Sequence, residues 1–422
     1  MAELIEIGDV KERVILIAVS SQEESEALAS LGELEELVDT AGAVTVDRII
    51  QNRENIHPGT YLGKGKLDQV KERIWELNAT GVVCDDELSP VQLRNLEDIL
   101  DTKIMDRTMV ILDIFAARAN TSEGKIQVEL AQLKYRAARL IGLRNSLSRL
   151  GGGIGTRGPG EKKLEMDRRL VHERIGQLKS ELEEVKRHRE IQRKKREQNH
   201  TLVAAIVGYT NAGKSTLLNR LTNAGILAED KLFATLDPTT RQLELDGGQK
   251  LLLTDTVGFI RKLPHHLVEA FKSTLEEAKY SDIILHVVDC SNPQMDMQMH
   301  VVYETLRELQ VGDKIIVTVF NKIDQISQEQ LPRDFHSDYQ VRISAKTGEG
   351  TDQLLETLGK LLRDRNIYLE RIFSYQEAGK IQQIRKYGEL LLEEYREDGI
   401  LIKAYVPAEL FAGLVGSREP VQ

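Results

Sequence analysis

Gly208-Tyr209-Thr210-Asn211-Ala212-Gly213-Lys214-Ser215 is the stretch on which the reading of this chain turns. It has the form G-x-x-x-x-G-K-S. The apolar run 202–207 before it reads as a buried strand, and residues 216–221 after it read as a helix. Strand, loop and helix in that order are the context in which this pattern cradles phosphate. Glycines at 208 and 213 let the backbone turn tightly, so that successive N–H groups aim at phosphate oxygens. The helix that follows adds the positive end of its dipole. Lys214 brings a mobile cation to the β- and γ-phosphates, and the Ser215 hydroxyl suits Mg2+.

The parts of a guanine-nucleotide switch follow in order. Phe233-Ala234-Thr235-Leu236-Asp237-Pro238-Thr239-Thr240-Arg241 reads as a loop with three threonines, one of which is expected to ligate Mg2+ and sense the γ-phosphate. The strand 251–254 ends in Asp255-Thr256-Val257-Gly258, a D-x-x-G. Its aspartate belongs in the Mg2+ shell, and its glycine N–H belongs on the γ-phosphate. The strand 315–320 ends in Asn321-Lys322-Ile323-Asp324, an N-K-x-D. The Asp324 carboxylate complements the N1–H and N2 donors of guanine, a pattern that adenine lacks. Asn321 and Lys322 are expected to brace the base-binding loops. Ser344-Ala345-Lys346 comes last, with the Ala345 N–H expected to reach guanine O6. Any one of these tetrapeptides is weak. All of them, in order and at strand ends, are specific.

Phe259 stands where Ras-like enzymes carry the glutamine that orients the attacking water. A phenyl ring cannot hold water by hydrogen bonding, so slow basal hydrolysis and dependence on a partner are expected. Asn211 either helps to hold a monovalent cation beside the phosphates or only stabilises the loop.

At 422 residues the chain exceeds one compact core, and its 41% hydrophobic and 29% charged content is ordinary for a soluble globular protein. The net charge of −10 argues against a globally basic nucleic-acid binder and leaves room for a local basic patch. Cys84 and Cys290 lack metal-ligand spacing and read as small buried hydrophobes in a reducing compartment. No apolar stretch has the length of a membrane span, and acidic residues follow Met1, so a cytoplasmic protein without membrane insertion is expected.

The expected fold class is α/β in four parts. Residues 1–120 alternate strands and helices and predict a small, mainly parallel α/β subdomain. Two segments there are candidates for ligands. The basic glycine-rich loop 60–66 can hold phosphate or be merely exposed. Asp85, Asp86 and Glu87 can bind a metal, or form the acidic end of a strand entering a helix cap. In residues 121–199, Ile126, Leu130, Leu133, Ala137, Leu140 and Leu147 form a heptad seam. A glycine-rich break at 151–160 interrupts it, and the seam restarts at Leu164, Val171, Ile175, Leu178, Leu182 and Val185. An antiparallel helical hairpin with a glycine tip is expected. Lys134, Arg136, Arg139, Arg144, Arg149, Arg157, Lys162, Lys163, Arg168 and Arg169 crowd it. A basic rod on an acidic protein suits phosphate-rich RNA, and a solvated helix face is the plain alternative. Residues 200–365 form the P-loop GTPase domain, and 366–422 a small α+β domain ending in a hairpin and short helix.

Gly155-Thr156-Arg157-Gly158-Pro159-Gly160-Glu161, the phosphate loop, the 233–239 segment and Asp255-Thr256-Val257-Gly258-Phe259 together resemble the HflX family of translational GTPases over nearly the whole chain. The resemblance implies GTP hydrolysis to GDP and phosphate. It also implies Thr235 as the Mg2+ ligand alongside Ser215 and Asp255, and a working set of Lys214, Thr235 and Gly258. It further implies binding of the large ribosomal subunit and its RNA, with splitting or rescue of stalled ribosomes under stress; a monomer is expected. Asn211 is similar to the asparagine of potassium-activated GTPases, which points to K+. The first third holds no second P-loop. Competing readings are a GTPase of tRNA modification or ribosome assembly, a P-loop kinase, and a ribosome-binding protein that GTP merely stabilises.

Overall fold

The computed structural model describes residues 11–20, 24–150, 159–198, 202–222, 232–233, 236–245, 249–262, 277–326 and 332–415. These fall into two compact units. The first comprises the described residues up to Val185 with the short segments 232–233, 236–237 and 261–262. The second comprises the remainder.

In the first unit, β1 (Arg13–Ser20), β2 (Val44–Asn52), β3 (Gly81–Cys84) and β4 (Lys103–Asp106) form a parallel sheet in the order β2-β1-β3-β4. The central β1 buries Val14 to Ala18 on both faces, as an unbroken apolar run demands when helices cover both sides. Those helices are α1 (Glu24–Thr40), α2 (Lys64–Leu77), α3 (Pro90–Leu100) and α4 (Arg107–Arg118). Ser89 and Gln92 form a reciprocal capping box at the start of α3, with Pro90 where its missing N–H costs nothing. In the 60–66 loop, the Gly63 N–H donates to Gln51 Oε1 at 2.8 Å, and α2 already begins at Lys64.

The hairpin helices are α5 (Ser122–Leu150) and α6 (Pro159–Gln198). Leu130, Leu178 and Leu182 are buried together, with Ile126, Leu133 and Ile175 packed against them. Arg174 clamps Glu129 across the pair through two bonds of 2.8 and 3.0 Å. The second helix starts at Pro159, earlier than its apolar pattern, because proline at the first turn suits the helix N-terminus. Residues 151–158 lie outside the described residues, as do the side chains of Leu140, Leu147 and Leu164 and of Arg144, Arg149, Arg157, Lys162 and Lys163. Arg139 is not free for RNA. It donates to the buried Asp106 at 2.7 Å and stacks over the Tyr135 ring at 3.8 Å. Arg136 and Arg169 are exposed.

The second unit is built on β5 (Leu202–Gly208), β6 (Thr239–Glu244), β7 (Lys250–Asp255), β8 (Ile283–Asp289), β9 (Ile315–Asn321) and β10 (Tyr339–Arg342). Their order is β10-β9-β8-β5-β7-β6, parallel except for β6, which runs antiparallel to β7. Thr239 and Thr240, expected in a loop, begin this edge strand. Thr240 and Thr254 share a hydroxyl contact of 2.9 Å across the ladder. Among the described residues, its helices include α7 (Lys214–Thr222), α8 (Met295–Glu308) and α9 (Thr351–Asp364). The C-terminal sheet, β11 (Asn366–Phe373), β12 (Glu389–Arg396) and β13 (Gly399–Pro407), is antiparallel in the order β11-β13-β12. It packs against α10 (Ala378–Tyr387) and α11 (Ala408–Val415) through Ile381, Ile384 and Leu414.

Glu389 joins this sheet to the GTPase fold. Its carboxylate is 1% exposed and accepts from Arg363 of α9 at 2.7–3.0 Å and from Gln249 Nε2 at 2.8 Å. Glu389→Ala strands both donors. Arg363 keeps access to water, which moderates the effect to about 1–3 kcal/mol. A lower thermal midpoint, with earlier protease cleavage at the C-terminal sheet, is expected.

Candidate active site

The motifs meet at one edge of the six-stranded sheet. β5 runs into the phosphate loop, β7 ends at Asp255, β9 ends at Asn321, and β10 stops just before Ser344. All four strands are parallel, so their carboxyl ends share an edge, where open α/β sheets bind ligands.

The phosphate loop is held in a conformation that its residues select. Gly213 has φ +91°, and a Cβ there would stand 2.2 Å from Asn321 Nδ2. Only glycine fits both the backbone and the space. Asn211 also adopts the left-handed region, at φ 62°. The Lys214 ammonium is buried and donates to its own loop at Tyr209 O, 2.8 Å away. Burial pushes its pKa down to about 8, opposed by the Asp255 charge. The Ser215 hydroxyl donates to Asp255 Oδ2 at 2.7 Å, which brings two hard oxygen donors together. Thr210 Oγ1 is buried without a hydrogen-bond partner among the described residues.

The D-x-x-G segment lies directly on this loop. The Phe259 N–H donates to Gly208 O at 3.1 Å, and the Thr210 N–H donates to Phe259 O at 2.8 Å. Gly258 is so close that a Cβ would come within 2.9 Å of Lys214 Nζ. The Thr256 hydroxyl bonds Ile206 O at 2.8 Å, so it ties β7 to β5, and Val257 is buried. The Phe259 ring is 2% exposed and packs with Ala205, Val207 and Ile284. A glutamine at 259 would therefore bury an amide in an apolar cluster, so it would perturb folding as well as water.

On the base side, Asn321 is the brace. Its Nδ2 donates to Ala212 O in the phosphate loop, and its Oδ1 accepts from the Ala345 N–H, both at 2.9 Å. The Ala345 N–H expected to reach guanine O6 is thus engaged by Asn321. Lys322 pairs with Asp289 at 2.7 Å, Ile323 is half-buried, and Asp324 and Lys346 stand exposed. Ser344 is buried and accepts from the Thr347 N–H at 3.1 Å.

Of the threonine-bearing segment, Ala234 and Thr235 lie outside the described residues. Leu236 and Phe233 are buried, and the Asp237 carboxylate is engaged by the Asn120 and Thr121 N–H groups, each at 2.9 Å. The acidic run Asp85-Asp86-Glu87, considered for a metal, instead receives the Lys262 ammonium, at 2.5 Å from Asp85 and 2.7 Å from Asp86. Burial raises the Asp85 pKa, but the nearby Arg107 and Lys262 charges outweigh it and leave the carboxyl below its ordinary range. Among the described residues, no group of three or more His, Cys, Asp or Glu side chains is placed to hold a metal. Cys84 is buried, and the Cys290 thiol donates to Asn321 O at 2.7 Å.

Three family models match in succession: GTP-binding GTPase N-terminal over residues 28–116, GTP-binding GTPase Middle Region over 118–196, and 50S ribosome-binding GTPase over 203–322. A GTPase HflX of Lacrimispora saccharolytica is 75% identical over 419 residues, covering 99% of each chain. The chain belongs to the HflX family of GTPases. A second HflX, from Caldanaerobacter subterraneus, is 50% identical over 96% of this chain and 93% of its own. A GTP-binding protein from Sulfolobus solfataricus in complex with GDP is 26% identical, covering 83% of this chain and 98% of its own, at a TM-score of 0.43. Membership makes this HflX chain an enzyme that binds GTP and GDP and hydrolyses GTP.

Two supporting residues of this GTPase escaped the motifs. Asp289 ends the apolar strand β8 as Asp255 ends β7, and that repetition was the available signal. Arg220, in the last turn of α7, donates to Thr347 O at 2.9 Å and braces the loop after Ala345. Only the fold brings it there. Removing the Asn321 amide leaves the buried Ala345 N–H without its acceptor and Ala212 O without its donor. Asn321→Ala is expected to weaken GDP and GTP alike by about 2–3 kcal/mol, measured by fluorescent-nucleotide titration.

Proposed function

We propose that this HflX chain is a GTP-driven switch that binds the large ribosomal subunit through its RNA and splits or rescues stalled ribosomes under stress. The observation that carries the reading is the match of residues 203–322 to the 50S ribosome-binding GTPase family. The bracing of phosphate and base loops by Asn321 supports a guanine-nucleotide site. The basic hairpin, with Arg136 and Arg169 exposed, supports an RNA partner.

In this reading Lys214 neutralises the phosphates, the Gly258 N–H addresses the γ-phosphate, and the Asp324 carboxylate selects guanine. Ser215, Asp255 and Thr235 would hold Mg2+, and the oxygen donors of Ser215 and Asp255 fit such a hard cation. Bound there, the ion would neutralise charge developing on the phosphate oxygens. Asn211 is the candidate ligand for K+. With Phe259 packed in the core, no glutamine follows Gly258 to orient water, so the basal rate is slow and ribosomal contact accelerates it. The protein acts in the cytoplasm as a monomer. The described residues contain no helix long and apolar enough to cross a membrane.

The test is GTP turnover with and without purified large subunits, in potassium and in sodium. Stimulation of at least tenfold by subunits is expected, with faster turnover in potassium. Lys214→Ala is expected to abolish turnover while leaving the fold intact by circular dichroism. Unchanged turnover on adding subunits, with tight GTP binding, would refute the ribosome-activated mechanism.

A further inference from the structure

The GTPase fold carries a second cleft, along α8. Asp296, His300, Tyr303 and Arg307 follow one another on this helix at spacings of four, three and four, so they share one face. From Asp296 to Arg307 that face runs roughly 16 Å. Its order is carboxylate, imidazole, phenol, guanidinium. The facing wall is the segment 333–336, and Asp334 locks it in place. The Asp334 carboxylate is buried. Its Oδ2 accepts from the Tyr303 hydroxyl at 2.5 Å and the Thr318 hydroxyl at 2.6 Å, and its Oδ1 accepts from the His336 N–H at 2.9 Å. Tyr303 is thereby fixed between two imidazoles. It stands edge-on to His286, with centroids 5.0 Å apart, and tilted against His336 at 5.2 Å. Burial pushes the His286 pKa down to about 4, so the ring behind Tyr303 is neutral.

The cleft encloses about 450 Å³, the size of a small-molecule site. Three cations line it: Arg307 at the end of α8, Lys314 just before β9, and Arg333 on the facing wall. Among the described residues, none of the three has an ion pair or a side-chain hydrogen bond. The helix dipole accounts for an acid at the start of α8 and a base at its end, but not for Lys314 and Arg333 converging on the same cleft. Beside Arg333, the Phe335 ring is left 90% exposed. Ile284 and Ile316 reach the cleft from the amino-terminal ends of β8 and β9. Asn321 of the guanine site stands five residues after Ile316, roughly 16 Å along the strand, so the two sites occupy opposite ends of the sheet. A flat ring suits an aromatic wall, a phosphate suits guanidinium and ammonium groups, and a lone carboxylate suits an N–H donor. A phosphorylated purine carries all three groups in that order. We propose that this cleft is a second ligand site, for a purine mononucleotide. The base lies on the wall of Tyr303, His336 and Phe335 with its exocyclic amine toward Asp296, and the phosphate lies on Arg307, Lys314 and Arg333.

The experiment titrates AMP into the full-length protein saturated with GDP, by calorimetry. Adenine lacks the donor pattern that Asp324 complements, so AMP leaves GDP in the GTPase site. One saturable site per chain is expected, with adenosine and inorganic phosphate each weaker than AMP. Arg307→Ala and Arg333→Ala combined are expected to weaken AMP about tenfold, and Phe335→Ala about threefold, with GDP affinity within about twofold. All three side chains are exposed, so these variants are expected to fold. Asp296→Ala is expected to weaken AMP without weakening inorganic phosphate. Absence of saturable AMP binding would overturn the proposal. AMP binding that the combined arginine variant leaves unchanged lies elsewhere and would overturn it equally. Tighter AMP binding by Asp296→Ala would show that this carboxylate only repels phosphate, and would overturn the assignment of a purine mononucleotide.

Discussion

The side-chain amide of Asn321 is the constraint on which the site depends. One group, fully buried, donates to the phosphate loop at Ala212 and accepts from the Ala345 loop. The two loops are far apart in sequence and come from different strands. Without a shared partner each would carry a buried polar backbone group at its tip. The left-handed turn at Gly213 is the counterpart of this brace, because the Asn321 amide fills the space where any side chain on residue 213 would go. Phosphate geometry and base geometry are therefore one rigid arrangement, set by a carboxamide and a missing Cβ.

Around that brace, the parallel sheet supplies placement and the polar contacts supply chemistry. Burial of Lys214 weakens its proton affinity, with the nearby Asp255 charge opposing the shift. Ser215 and Asp255 are brought together before any ion is considered. Phe259 shows how one residue can hold a loop through its backbone and fill a core through its ring. Its backbone pins the D-x-x-G segment to Gly208 and Thr210, and its ring completes an apolar cluster behind them. That placement explains why a glutamine at this position would bury an amide among apolar side chains.

Much of the fold was legible because its signals are local. Unbroken apolar runs marked the buried parallel strands, the heptad seam marked α5 and α6, and the order of motifs marked the strand ends. The errors were of long-range origin. Thr239 and Thr240 look like loop residues because their strand character comes from pairing with β7. Arg139 looks like an RNA contact because its partner, Asp106, lies 33 residues away. The acidic run at Asp85 left a metal open beside a helix cap, because its partner Lys262 lies 177 residues away in sequence.

The sequence by itself determined the class of chemistry: the phosphate loop, the D-x-x-G and the N-K-x-D are contiguous patterns whose spacing carries their physics. It also determined the family, since those patterns and Gly155 to Glu161 coexist in one chain. Only the tertiary structure decided which polar groups are spent on one another. Asp237 on the amides of Asn120 and Thr121, Lys262 on Asp85, Ala345 on Asn321 and Glu389 on Arg363 all join distant segments. Such pairings leave no periodicity in the sequence, because a hydrogen bond depends on where folding brings two atoms and not on how many residues separate them.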